Sequence, residues 1–119
     1  MLLVEDDADL AVVVLEALEQ DGHQAVHVRG PAEACQLAST DDWDAFVVDA
    51  FGGYEQPDPE YQATLKHLAN HGRVVVTTGR VWCTSARAKL IGADAVLAKP
   101  YDLDDLEDAL TSPGPKAGR

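Results

Sequence analysis

Ala45-Phe46-Val47-Val48 is an unbroken apolar run that stops at a carboxylate, Asp49. With no polar face it fits a strand covered on both sides, the kind found in the middle of a parallel sheet flanked by helices. That reading constrains the rest of the chain: short apolar runs should alternate with segments of helical period.

They do. Leu2 to Val4 is a brief apolar run ending in acids, a first strand. From Ala8 to Gln20 the residues Leu10, Val13, Val14, Ala17 and Leu18 recur at helical spacing, and Asp21-Gly22 closes the helix with glycine at the left-handed stop. Gln24 to Val28 reads as the second strand, with Val26 and Val28 on one face. Arg29-Gly30-Pro31 turns the chain, and Pro31 suits the first position of a helix reaching Ser39. Gly52 to Pro59 is a loop, followed by a helix over Glu60 to Asn70. Gly72 precedes a strand from Arg73 to Thr77, a helix covers Ser85 to Ile91, Ala95 to Ala98 is the fifth strand and Leu103 to Leu110 the last helix. The expected architecture is a flavodoxin-like, doubly wound α/β domain with five parallel strands in the order 2-1-3-4-5 and five helices. It spans residues 1–111, and Ser112 to Arg119, without periodicity, is a flexible tail.

Composition narrows the function classes. A formal net charge of -12 opposes direct nucleic-acid binding, which needs clustered Lys and Arg, and equally opposes docking to an anionic membrane. No apolar run approaches the roughly 20 residues that cross a bilayer, and the start lacks a secretory pattern, so the expected location is cytoplasmic. Cys35 and Cys83 have no metal-type spacing and are read as reduced thiols. With 119 residues the chain has the length of one domain and leaves no room for a second, which implies a stand-alone unit or a piece of a longer protein.

In a sheet of this kind ligands sit beyond the carboxyl ends of the strands. The residues there form an unusual set: Glu5 and Asp6 after strand one, Asp49 after strand three, Thr77 or Thr78 after strand four, Lys99 and Pro100 after strand five. Three carboxylates crowded together repel one another unless a cation joins them, and hard oxygen ligands suit Mg²⁺. A lysine and a hydroxyl nearby complete what phosphoryl transfer requires: a carboxylate nucleophile and positive or donor groups for the phosphoryl oxygens.

Leu3-Val4-Glu5-Asp6-Asp7, Val47-Val48-Asp49, Val76-Thr77-Thr78-Gly79 and Ala98-Lys99-Pro100-Tyr101-Asp102 resemble the signature segments of the response-regulator receiver family. The resemblance covers the chain apart from its tail. It implies Asp49 as phosphoacceptor, Asp6 as direct Mg²⁺ ligand with Glu5 acting mainly through water, and the main-chain carbonyl of Phe51 completing the metal shell. It further implies Thr78 as switch hydroxyl, Lys99 as partner of the phosphoryl oxygens, and a cis Lys99-Pro100 bond. Mn²⁺ is able to substitute for Mg²⁺. The implied partners are a sensor histidine kinase or phosphotransfer protein upstream and a protein target downstream, with the last helical face a candidate for homodimerisation. Catalysis extends at most to the domain's own Mg²⁺-dependent phosphoryl transfer and slow autodephosphorylation.

The chain departs from the family at two places. Where a Met-Pro pair and a glycine commonly follow the phosphoacceptor, it has Ala50-Phe51-Gly52-Gly53. Where the fifth strand often carries Tyr or Phe, it has Val96, too small and stiff to report the same ring rotation. These departures support an alternative, a pseudo-receiver acting as a phosphorylation-independent interaction module. A phosphatase with an aspartyl nucleophile fits worst, because Phe51 stands where such enzymes need a second acid. Asp7 is assigned to the first helix's positive N-terminus, His67 and His71 to a solvated helix face rather than zinc, and Trp43 to packing.

Overall fold

The structure is a computed structural model that describes residues 1–40, 43–49, 59–78, 92–99 and 102–111. Five strands, β1 (Leu2–Val4), β2 (Val26–Val28), β3 (Ala45–Asp49), β4 (Arg73–Thr78) and β5 (Ala95–Ala98), form one parallel sheet in the order β2-β1-β3-β4-β5. The described helices are α1 (Ala8–Gln20), α2 (Pro31–Ala38), α3 (Pro59–Ala69) and α4 (Leu103–Thr111). None is long and apolar enough to cross a membrane. The expected helix over Ser85 to Ile91, the loop from Gly52 to Asp58, Cys83 and the tail lie outside the described residues.

Alternation along the strands divides the core into two layers. Leu2, Val4, Phe46, Val48, Val74 and Val76 face α2 and α3, packing against Ala34, Ala38, Tyr61, Leu65 and Leu68. Leu3, Ala45 and Val47 face the other way, onto Ala11, Val14 and Leu18 of α1 and Leu106 of α4. The apolar run of β3 is thus buried on both faces. Each fully buried Leu, Val or Phe contributes roughly 1.5–3 kcal/mol, so the middle of the sheet dominates stability.

The ends of the elements follow local chemistry. Asp7 caps α1 by accepting the N–H groups of Asp9 (3.1 Å) and Leu10 (3.2 Å), the helix-terminal role expected of it. Gly22, at φ 91°, ends α1, and His23 N–H then reaches Leu18 O at 2.9 Å. Pro31 opens α2 behind Gly30. Asp102 and Asp105 cap α4 reciprocally: Asp105 N–H donates to Asp102 Oδ1 at 2.8 Å and Asp102 N–H to Asp105 Oδ2 at 3.4 Å. Arg73 Nε donates to Ala109 O at 2.9 Å, satisfying a carbonyl near the end of the same helix. Gly72 is required where it stands, since a Cβ there would lie 2.8 Å from the Trp43 carbonyl oxygen. Trp43 does pack, its ring 6.4 Å from that of Phe46 and its Nε1–H donating to Leu37 O at 2.7 Å.

Several boundaries differ from expectation. β2 begins at Val26, not Gln24, because its partner β1 offers only three residues to pair. Val26 shares a face with Val28 but is exposed, since it starts an edge strand that α2 does not cover there. β4 continues to Thr78, held by its pairing with Ala98, and α3 starts at Pro59, where a proline costs no helical hydrogen bond.

Candidate functional site

Parallel register brings the strand ends to one edge. Val4 lies beside Val48, and Asp49 beside Thr77, so the residues just past β1 meet the last residue of β3. Glu5, Asp6 and Asp49 each place a carboxylate oxygen within 4.8 Å of the others. Glu5 is almost fully buried, Asp49 is partly buried and Asp6 faces solvent. From β5, Lys99 reaches across to Asp49 Oδ1 at 2.7 Å and to Glu5 Oε1 at 3.4 Å. The Lys99 N–H also donates to Thr78 O at 2.7 Å, tying the lysine's backbone to the end of β4. Thr77 and Thr78 are both buried.

The electrostatics follow from this crowding. Burial and then the charge of Asp49 push the Glu5 carboxyl up to about 7, against the opposing pull of the Asp7 N–H (3.3 Å from Oε2) and Lys99. Burial works against the charge on Lys99, but the hydrogen bond and charge of Asp49, joined by Glu5, outweigh it and hold the ammonium above its ordinary value. The site therefore carries a firmly cationic lysine among more carboxylates than one ammonium neutralises.

Thus the structure brings Glu5, Asp6, Asp49 and Lys99 together and buries the two threonines beside them. The Phe51 carbonyl and the Lys99-Pro100 bond fall outside the described residues. Two groups at the site were not foreseen. Tyr61 of α3 donates its hydroxyl to the Asp49 main-chain oxygen at 3.2 Å, and His27 of β2 has its Nε2 2.7 Å from the Glu5 main-chain oxygen. The accessible signal for Tyr61 is its place on the stripe Tyr61, Leu65, Leu68, where a hydroxyl on an apolar face demands a partner. The His67 and His71 rings lie 5.3 Å apart, tilted at 53°, and the groups of three or more metal-type side chains among the described residues lie elsewhere.

No family model matches the chain, and no curated protein matches it. Solved structures do. A response regulator receiver domain from Methylobacillus flagellatus is 30% identical, with a TM-score of 0.75, covering 93% of this chain and 94% of that one. The chain belongs to the response regulator receiver family. A response regulator protein from Burkholderia pseudomallei, 25% identical with a TM-score of 0.75, is covered over 65% of its length by 93% of this receiver domain. The receiver domain thus spans a little under two thirds of that relative, whose structure holds a phosphorylated aspartic acid, a calcium ion and citrate. A response regulator protein from Thermotoga maritima, in complex with Mg(2+)-BeF, is 17% identical (TM-score 0.68, covering 90% of this chain and 91% of that one) and shares the receiver fold.

Proposed function

We propose that this receiver domain is a phosphorylation switch in which Asp49 accepts a phosphoryl group from a phosphohistidine on a sensor histidine kinase or phosphotransfer protein. One observation carries the reading: three carboxylates within 4.8 Å of one another, one of them held by Lys99 at 2.7 Å, at the carboxyl edge of a receiver sheet. In the transfer an Asp49 carboxylate oxygen bonds to phosphorus, the P–N bond breaks, and the imidazole leaves with the electron pair and takes up a proton. Lys99, kept cationic by its neighbours, is suited to follow the charge onto the phosphoryl oxygens, and Thr78 to donate a hydroxyl to them.

The donor set fits a hard divalent cation, since three carboxylate oxygens outnumber the single ammonium beside them. Glu5, Asp6, Asp49 and the Phe51 carbonyl would hold Mg²⁺, or Mn²⁺ in its place. When bound, the ion would supply charge neutralisation for the phosphoryl oxygens. The phosphorylated aspartic acid and the calcium ion of the Burkholderia relative support both assignments. The switch would occupy residues 1–111, with 112–119 as a tail, and act in the cytoplasm on a protein target.

Incubation with Mg²⁺ and acetyl phosphate should add one phosphoryl mass to the wild type and none to Asp49→Asn. Equal labelling of the two removes Asp49 from the role. Val96 favours a second reading, a constitutive interaction module: it packs half-buried against the core and offers no ring to rotate. A Mg²⁺ titration that leaves the carboxylate NMR signals unmoved would select that reading over the switch.

A further inference from the structure

We propose that Tyr61 is a positioning residue for Asp49: its buried hydroxyl, bonded to the Asp49 main-chain carbonyl, aims the carboxylate of the same residue. The proposal rests on the reading of Asp49 as phosphoacceptor. Tyr61 is 1% exposed, and its ring sits in the core layer with Phe46, Val48, Leu65 and Leu68. Packing fixes the ring's two torsions, so the hydroxyl has one place to be. That place is 3.2 Å from the Asp49 carbonyl oxygen.

Asp49 needs such support because sheet pairing is running out around it. The β1 ladder ends at Val48, one residue earlier, and only β4 still pairs with Asp49 itself. The peptide plane after Asp49 sets its ψ, and ψ limits which side-chain rotamers are open. Lys99 grips the carboxylate from the β5 side at 2.7 Å, while Tyr61 grips the backbone of the same residue from the α3 side. A leucine at position 61 would serve the apolar layer without bringing a polar atom that must be satisfied. The phenol's presence there therefore points to the carbonyl it holds.

The test compares wild type, Tyr61→Phe and Tyr61→Leu, with Asp49→Asn as control, using Mg²⁺ and acetyl phosphate. It reads the labelling rate at saturating donor, the half-saturating donor concentration, the melting temperature, and the Asp49 carbonyl and carboxylate ¹³C resonances. Losing one hydrogen bond that aims a nucleophile should lower the saturating rate of Tyr61→Phe roughly tenfold. Half-saturation should stay near wild type, the melting temperature should fall only by the few degrees that one lost hydrogen bond costs, and both Asp49 resonances should move. A wild-type rate with unmoved resonances in Tyr61→Phe overturns the proposal. So does a rate that falls only in Tyr61→Leu, in step with its melting temperature, which would assign Tyr61 to packing. If Asp49→Asn is labelled like wild type, the phosphoacceptor reading falls by itself. The Asp49 resonances then still decide whether Tyr61 orients that residue.

Discussion

At the amino edge of the sheet, Asp94 is buried, yet its Oδ2 accepts the Val74 N–H at 2.8 Å while its own N–H donates to Val74 O at 2.8 Å. Ahead of β2, the edge strand on the opposite side of the sheet from β5, His23 meets Glu107 of α4 at 2.6 Å. Each of these carboxylates has a dedicated donor and serves to start a strand pair or pin a helix. At the carboxyl edge Glu5 and Asp49 share one ammonium with Asp6 clustered beside them, and burial drives Glu5 toward neutrality. At the first edge Asp94 and Glu107 each meet a partner; at the second the proposed switch would complete the excess of carboxylates with a cation. On the proposed reading, the difference separates residues that build this domain from those that would work in it, even though both sets are acidic.

That contrast predicts opposite outcomes for substitutions of similar size. Lys99→Met, at the carboxyl edge, should lower Asp49 labelling by about 10²–10³-fold, the usual loss when a preorganised electrostatic group is removed. Asp94→Ala, at the amino edge, should do the reverse. It strands the Val74 N–H and should cost about 2–3 kcal/mol in a denaturant titration, while the folded fraction is labelled at the wild-type rate. A labelling defect in Asp94→Ala beyond its unfolded fraction would blur the two edges.

Glu5 sharpens the comparison through pH. Its folded pKa, about 7, lies above its unfolded value, so the folded state binds more protons between roughly pH 4.5 and 7 and stability falls as pH rises through that window. Without divalent ions, Glu5→Gln should therefore gain about 1–2 kcal/mol at pH 8 and nothing at pH 4, read from thermal melts across pH. A gain independent of pH would place its origin elsewhere. Smallest of all, Glu107→Gln should cost at most about 1 kcal/mol, because the His23 pair is part-exposed and screened. Its labelling should be unchanged.

The two edges also differ in how far they could be read from the sequence. Asp49, Glu5, Asp6 and Lys99 each directly end or follow a short apolar run, so finding the strands finds the edge where they meet. The order of the strands and the two-sided burial of Ala45 to Val48 came through for the same reason. Tyr61, Asp94 and the His23–Glu107 pair did not, because none of these contacts follows from which residue ends a strand at the carboxyl edge; each depends on how helices and loops dock on the sheet. Val26 shares a face with Val28 as alternation implies, but alternation does not say whether a helix covers that face at the sheet's edge, and Val26 is exposed.

The central claim is that the carboxyl edge is a phosphoryl-accepting site centred on Asp49. Intact-mass analysis after incubation with Mg²⁺ and acetyl phosphate tests it most directly. The wild type should gain a single phosphoryl group, lost on Mg²⁺ removal before incubation and absent from Asp49→Asn. A wild type that stays unlabelled with Mg²⁺ present, or an Asp49→Asn protein labelled equally, would contradict it.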